Sequence, residues 1–168
     1  MVITGAVGVG KTTVAYEVRL RLKAADVSHV LIDDEFGLFH PYSSDDPDGE
    51  RLRIDALGSL WQVYRKARVE RLILARVISD SATLDKIATA IPGAEIDLYW
   101  LVAPMPVIEQ RISGRQVPTA YAWCVERASE LMEQWAQNPL DATVIETESR
   151  SIPEIADEIV AQSGWLEK

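Results

Sequence analysis

The residues best suited to chemistry lie at the start of the chain. The eight residues Gly5–Thr12 follow the pattern G-x-x-x-x-G-K-[ST]. Glycines allow the backbone to close around an anion, and successive amide N–H groups at the start of a helix then face phosphate oxygens. Lys11 can reach the β- and γ-phosphates, and the Thr12 hydroxyl is placed for Mg²⁺. The pattern predicts a nucleoside triphosphate site, with a non-binding glycine-rich turn as the alternative.

The flanking sequence supports this interpretation. A short apolar run, Val2–Thr4, precedes the loop and has the character of a strand, and an amphipathic helix is predicted for about Lys11–Ala24. We assign nucleotide binding to nine consecutive residues, Gly5, Ala6, Val7, Gly8, Val9, Gly10, Lys11, Thr12 and Thr13.

Acidic residues follow the next apolar run, His29–Asp33, which we predict to be a buried strand. The run ends in Asp33, Asp34 and Glu35. If this strand is parallel to the first, its carboxyl end opens on the same rim as the glycine-rich loop. A carboxylate there can orient or deprotonate an acceptor hydroxyl, or hold Mg²⁺ through water. The alternative is a solvated acidic turn or a helix cap.

Composition narrows the possible classes of protein. The length of 168 residues suits one domain, residues 1–168. The net charge of −9 argues against a general nucleic-acid surface. The single cysteine, Cys124, permits no intrachain disulfide, and we expect a buried, inert thiol. No apolar run is long enough for a membrane span, and we predict a cytoplasmic protein without a signal peptide.

Five apolar runs alternate with helical patterns along the chain. The later strands are predicted at Arg71–Ile78, Ile96–Ala103 and Thr143–Ile145, and the intervening helices include Glu50–Arg68 and about Thr119–Gln137. This alternation predicts a parallel α/β sheet covered by helices on both faces.

Two motifs that would indicate a GTPase do not fit their context. A guanine-binding site would need Asn-Lys-x-Asp after a late strand, but Asn138–Asp141 lacks the lysine and precedes its strand. Asp55–Gly58 imitates a D-x-x-G switch within a helical pattern. We therefore discard the GTPase interpretation.

At three places the sequence resembles the small phosphate-loop kinases of the nucleoside-monophosphate-kinase-like superfamily, most closely bacterial proteins described as AAA family ATPase or adenylylsulfate kinase-like. These places are Gly5–Thr13, Ile32–Glu35, and Leu101–Pro104 running into Arg111-x-x-x-Arg115. The resemblance covers nearly the whole chain. It implies a three-layer α/β/α fold with a five-stranded parallel sheet in the order 2-3-1-4-5, and the cofactors ATP and Mg²⁺.

The resemblance also implies roles for individual residues. Lys11, Asp33, Glu35, Arg111 and Arg115 form the catalytic set, with Asp33 similar to the general base and the two arginines similar to lid residues that close over the transferred phosphoryl group. Thr12 and Asp33 are the expected metal residues. Arginine suits contact with phosphate because its planar fork matches phosphate oxygens, although four-residue spacing also fits an exposed helix face.

Further residues are candidates for the two substrate pockets. The loop at Glu146–Arg150 is expected beside adenine, with Arg150 stacked on the base or, alternatively, only capping the last helix. The acceptor pocket is expected between the loop Phe36–Gly49 and the helix Glu50–Arg68, lined by Arg53, Trp61 and Arg65.

One feature departs from the family pattern. The third strand is followed by no acid until Asp80, so the usual second acidic motif is absent or displaced. The sequence thus predicts an ATP- and Mg²⁺-dependent kinase, monomeric or homodimeric, that acts on a small-molecule acceptor. The alternatives are a nucleotide-binding regulatory protein with little transfer activity and a nucleoside triphosphate hydrolase.

Overall fold

A computed structural model describes residues 1–33, 42–114 and 120–167 of the chain. Along the chain the elements are β1 (Val2–Gly5), α1 (Lys11–Ala24), β2 (Val30–Asp33), α2 (Glu50–Lys66), β3 (Leu72–Ala75), α3 (Ser81–Ala90), β4 (Leu98–Val102), α4 (Met105–Ser113), α5 (Tyr121–Gln137), β5 (Thr143–Glu146) and α6 (Ile152–Ser163).

The five strands form one parallel sheet in the order β2-β3-β1-β4-β5. This confirms the predicted fold class and the predicted strand order. Because all strands run the same way, their carboxyl ends lie on one rim, where the glycine-rich loop leaves β1. The sheet order places β3 between β2 and β1, so the residues that leave these three strands are neighbours on that rim.

Helices cover both faces of the sheet, because successive strand residues point to opposite sides. In β1, Ile3 packs with residues of α1, α4, α5 and α6, whereas Val2 packs with residues of α2 and α3. Leu74 and Ile73 of β3 divide between the two cores in the same way. The two apolar layers account for the near-continuous hydrophobic runs of the strands.

The third strand is shorter than the predicted Arg71–Ile78. Arg76 still donates its backbone N–H to Ile3 at 3.1 Å, but the next ladder position is taken by a side chain. The backbone N–H of Ile78 donates to the buried hydroxyl of Thr4 at 2.9 Å. This side-chain bond satisfies the amide while the chain turns away from the sheet.

Two other expectations concern the burial of the cysteine and the presence of a membrane span. Cys124 is half-buried against the core, less enclosed than predicted. In the described residues, none of the helices has the length and apolar character that crossing a bilayer requires.

Candidate functional site

The glycine-rich loop leaves β1 in a conformation that its glycines make possible. Gly5, Gly8 and Gly10 have φ angles of 145°, 87° and 111°, a region that side chains with a Cβ rarely adopt. A Cβ on Gly8 would also lie 2.6 Å from Cγ1 of Ile112 in α4. The loop is therefore packed closely against α4, and its shape depends on the absence of a side chain at position 8.

Lys11 begins α1 and folds back over the start of the loop. Its ammonium group donates to the carbonyl oxygens of Gly5 and Ala6, both at 3.1 Å. The lysine charge therefore stands beside the loop backbone, where it can meet the terminal phosphates of a bound nucleotide. Thr12 and Thr13 follow on the first turn, and both are exposed.

Asp33 ends β2 on the same rim. In the sheet register Asp33 lies opposite Ala75 of β3, and Ala75 lies opposite Ile3 of β1. Neighbouring strands are about 4.8 Å apart, so the backbone of Asp33 is separated from β1 by about two such spacings. Asp33 is half-buried. Its predicted partner in catalysis, Glu35, lies outside the described residues.

The donors around the loop suit Mg²⁺ bound mainly by a nucleotide. The described residues include no group of three or more His, Cys, Asp or Glu side chains that could hold a metal alone. Mg²⁺ in nucleotide sites typically uses one or two protein oxygens together with phosphates and water. The exposed Thr12 hydroxyl and the Asp33 carboxylate offer that smaller set, so both remain the predicted metal residues.

Arg111 connects the loop to the opposite side of the rim. One guanidinium nitrogen donates to the carbonyl of Val9 and to the hydroxyl of Thr147, both at 2.9 Å, and the other donates to the carbonyl of Thr147 at 2.8 Å. Thr147 is buried and its hydroxyl donates to the carbonyl of Val102 at 3.1 Å. The resemblance predicted phosphate contact for Arg111, and these bonds place its charge beside the loop.

The other two arginines predicted for the site are Arg115 and Arg150. Arg115 lies outside the described residues. Arg150 pairs with Glu158 of α6 at 2.5 Å and donates to the carbonyl of Glu154 at 3.3 Å. The cap of α6 is Ser151, which forms a capping box with Glu154, so Arg150 contacts the helix without capping it. Adenine stacking by Arg150 stays a prediction.

Several solved structures are similar to this chain in fold. No protein-family model matches the sequence, and no curated protein matches it. The tunicamycin resistance protein of Deinococcus radiodurans has a TM-score of 0.64 and 23% identity, covering 98% of this chain and 94% of that one. A gluconokinase from Sinorhizobium meliloti 1021 has a TM-score of 0.63 and 17% identity, covering 98% and 89%.

A third similar structure contains ligands. The Mycobacterium tuberculosis APS kinase, solved in complex with AMPPNP and APS, has a TM-score of 0.62 and 19% identity, covering 99% of this chain and 96% of that one. The chain has the P-loop kinase-like fold. At these identities the comparison establishes the fold, and residue roles rest on the geometry of this chain.

Within this P-loop kinase-like fold, the exit of β3 carries an arginine. The side chain of Arg76 is 4% exposed and pairs with Glu50, the first residue of α2, at 2.5 Å. The same Glu50 oxygen pairs with Arg53 at 3.3 Å. Sequence reasoning identified Arg53 but missed Glu50 and Arg76. A basic residue directly after a buried apolar strand was the available signal, because such a charge is rarely buried without a partner.

The predicted acceptor lining is divided between the two ends of α2. Trp61 and Arg65 line a cavity of about 530 Å³ with Met1, Leu72 and Asp97, residues at or just before the amino ends of their strands. The prediction was wrong for these two residues because α2 runs antiparallel to the strands. At 1.5 Å per residue, Arg65 lies about 18 Å along the helix from Arg53, toward the rim opposite the loop.

Asp80 caps α3. One carboxylate oxygen accepts from the backbone N–H of Thr83 at 2.8 Å and from its hydroxyl at 2.9 Å. The backbone hydrogen bond from Thr83 is the main cause of a lowered pKa for Asp80, and the hydroxyl bond adds to it. The first acid after β3 is therefore engaged at a helix N-terminus.

Proposed function

We propose that this chain is an ATP- and Mg²⁺-dependent kinase that transfers the γ-phosphoryl group to a hydroxyl or phosphate of a small molecule. The observation that carries this proposal is the shared rim, where the loop with Lys11 leaves β1 and Asp33 ends β2. Phosphoryl transfer requires chiefly positioning and charge stabilisation, and this arrangement supplies a cationic donor side and an acidic group two strands away.

The reaction assigns a task to each part of the site. The loop amides and Lys11 hold the β- and γ-phosphates of the donor. The acceptor oxygen forms a bond to the γ-phosphorus while the bond to the β–γ bridging oxygen breaks, and ADP leaves with that oxygen. Asp33 orients an acceptor hydroxyl and takes its proton. Thr12 and Asp33 would hold Mg²⁺, which when bound would supply positive charge beside the phosphate oxygens.

The similar structures support a small-molecule acceptor by their own descriptions. One is a gluconokinase, and another is an APS kinase in complex with AMPPNP and APS. Ligands on open parallel sheets generally bind at the carboxyl ends of the strands, which supports a donor and acceptor site on this rim.

Arg76 favours a second candidate function. Phosphate-loop enzymes of other classes carry a metal-organising acid after a strand of the sheet, and here the residue after β3 is a buried arginine. A nucleotide-binding regulatory protein with little transfer activity would not need an acid at this position. A hydrolase without an acceptor is the third possibility that the experiment distinguishes.

ADP release in the presence of pooled metabolites tests the three functions. A kinase releases ADP only with an acceptor, a hydrolase releases it steadily without one, and a regulatory protein binds ATP without release. We expect acceptor-dependent release. ATP binding without release under every pool, or release at the same rate without a pool, would contradict the kinase proposal.

Two variants assign the roles of the charged residues. Lys11→Ala should abolish ATP binding measured by calorimetry, whereas Lys23→Ala, at an exposed position at the end of α1, should bind as the wild type does. Asp33→Asn should bind ATP normally and lose turnover by about 100-fold or more. Wild-type turnover in Asp33→Asn would remove Asp33 from the mechanism.

A further inference from the structure

The rim opposite the phosphate loop holds the cavity that Trp61 and Arg65 line. Its volume of about 530 Å³ lies within the range of about 300–1,000 Å³ that is typical of small-molecule sites. Asp97 is fixed at this rim, because its carbonyl accepts the backbone N–H of Val2 at 2.7 Å. β1 has four residues, so the cavity and the loop are about 13 Å apart along the strand. The cavity is therefore separate from the proposed phosphoryl-transfer site.

Two arginines that line the cavity pack over tryptophan rings. The guanidinium carbon of Arg65 is 5.8 Å from the ring centroid of Trp61, and that of Arg71 is 5.9 Å from the ring centroid of Trp165. A cation–π contact holds a guanidinium in place and leaves its net charge uncompensated. Within residues 1–33, 42–114 and 120–167, neither arginine forms an ion pair. Their N–H groups are thus available to a ligand oxyanion.

Three carboxylates line the same cavity. Glu70 directly precedes Arg71, and Glu95 and Asp97 lie in the connection between α3 and β4. All three residues are exposed, and none forms an ion pair with any part of the chain that the structure describes. Charges of both signs therefore face one cavity and remain unpaired with each other.

The amino group of Met1 is also at this rim. It donates to the carbonyl of Leu72 at 2.9 Å. Burial lowers the pKa of this amino group to about 6, against the opposing effect of the Asp97 charge. The amino group is largely neutral at about pH 7.5, since that pH lies above its pKa, and it leaves the carboxylates of the cavity uncompensated.

The mixture of charges favours a ligand that carries both signs. An anion alone would meet three carboxylates, and a cation alone would meet two guanidinium groups. Arg71 and Asp97 directly precede β3 and β4, the strands on either side of β1, so their backbones are about two strand spacings, or about 10 Å, apart. The carboxylate and the ammonium of one small molecule can span the gap that remains between the two side chains.

We propose that this cavity is a second ligand site, and that it binds an α-amino acid with an apolar side chain. Arg71, together with Arg65, receives the carboxylate, and Asp97, together with Glu95, receives the ammonium group. The tryptophan rings supply apolar surface for the side chain of the ligand. The site goes beyond the proposed kinase function, because its residues lie at the other rim of the sheet.

Calorimetry at about pH 7.5, with AMPPNP and Mg²⁺ present, tests the class of ligand. L-leucine, L-methionine and L-phenylalanine are each compared with the N-acetyl derivative, which lacks the ammonium, and with the amide, which lacks the carboxylate. We expect at least one amino acid to bind with a Kd of about 1 mM or lower, and its two derivatives to bind at least about tenfold more weakly. No binding by any of the three amino acids, or equal binding by either derivative, would overturn the proposal.

Variants at the cavity locate the bound amino acid. Arg71→Met and Asp97→Asn should each weaken its binding by about tenfold or more. Lys66→Met and Asp85→Asn are the matched controls, because both residues are exposed and lie outside the cavity, and they should bind within about twofold of wild type. If Arg71→Met does not fold, Arg65→Met replaces it with the same expected loss. Unchanged affinity in either cavity variant would refute the site.

Lys11→Ala separates this proposal from the kinase proposal. Lys11 begins α1 at the rim of the phosphate loop, so Lys11→Ala should bind the amino acid as the wild type does. Loss of amino acid binding in Lys11→Ala would place the ligand at the loop and overturn the second site. Amino acid binding that depends on Arg71, in a protein that never releases ADP, would support the second site and refute the kinase.

Discussion

The guanidinium of Arg111 and the side chain and carbonyl of Thr147 form a two-pronged contact, with bonds of 2.9 and 2.8 Å. The same arginine donates to the carbonyl of Val9 within the glycine-rich loop. Residues 102 positions apart in sequence are thereby joined at the site, and α4 holds the loop and the segment after β5 in one arrangement.

Loss of the Thr147 hydroxyl should therefore destabilise the fold. Thr147→Val removes the acceptor for Arg111 and the donor to Val102 at nearly constant volume, and we expect the free energy of unfolding to fall by about 2 kcal/mol in urea titrations. Thr147→Ser keeps the hydroxyl and should lose at most about 1 kcal/mol. Equal stability of the two variants would show that the hydroxyl is not part of a stabilising network.

Gly8 should tolerate no side chain. In Gly8→Ala the new methyl group meets Ile112 at a φ of 87°, and we expect the dissociation constant for ATP to rise by about tenfold or more, equivalent to 1.4 kcal/mol. Gly93→Ala is the control, since Gly93 has a φ of 78° and open space around it. That variant should carry only the backbone cost of about 1–2 kcal/mol and bind ATP normally.

Asp80 should act as a helix cap and have no role in catalysis. Asp80→Ala should lower the free energy of unfolding by about 1 kcal/mol at neutral pH, whereas Asp80→Asn should be close to wild type, because asparagine caps nearly as well. Turnover should be unchanged in Asp80→Asn. A large loss of activity in that variant would instead indicate a metal-organising acid.

The pH dependence of the Asp80 cap follows from its pKa. The folded pKa lies below the ordinary value of 3.8, so the stabilisation by the carboxylate is fully present above pH 3.8 and is lost as the pH falls through the folded pKa. Wild type should thus lose stability relative to Asp80→Asn when unfolding is measured at about pH 3 and lower instead of about pH 7. A difference independent of pH would exclude the carboxylate as its source.

Trp135 should contribute to stability through both its ring and its indole N–H. The buried N–H donates to the carbonyl of Ile78 at 2.9 Å. The ring packs edge-on against Trp100, with the two ring centroids 5.3 Å apart. We expect Trp135→Phe to lower the free energy of unfolding by about 2–4 kcal/mol. Trp123→Phe, at a residue that is 62% exposed, should change it by less than about 0.5 kcal/mol.

Hydrophobic periodicity was sufficient to predict the layers and most elements of the fold. The starts of α1 and α2 agree with the sequence-based expectations, because the glycines that precede these helices mark helix ends locally. The end of β3 was predicted less well. Its last ladder position is taken by the hydroxyl of Thr4, a contact between residues 74 positions apart that no local pattern contains.

The sequence by itself determined the loop Gly5–Thr12, its placement between a strand and a helix, and the acid at the end of the next strand, since each depends on residues close together in the chain. The tertiary structure alone decided which distant side chains meet. It joined Arg76 to Glu50 and Arg53, moved Trp61 and Arg65 to the opposite rim, and tied Arg111 to Thr147. Helix direction and strand order govern these contacts, and both arise from packing across the whole sheet.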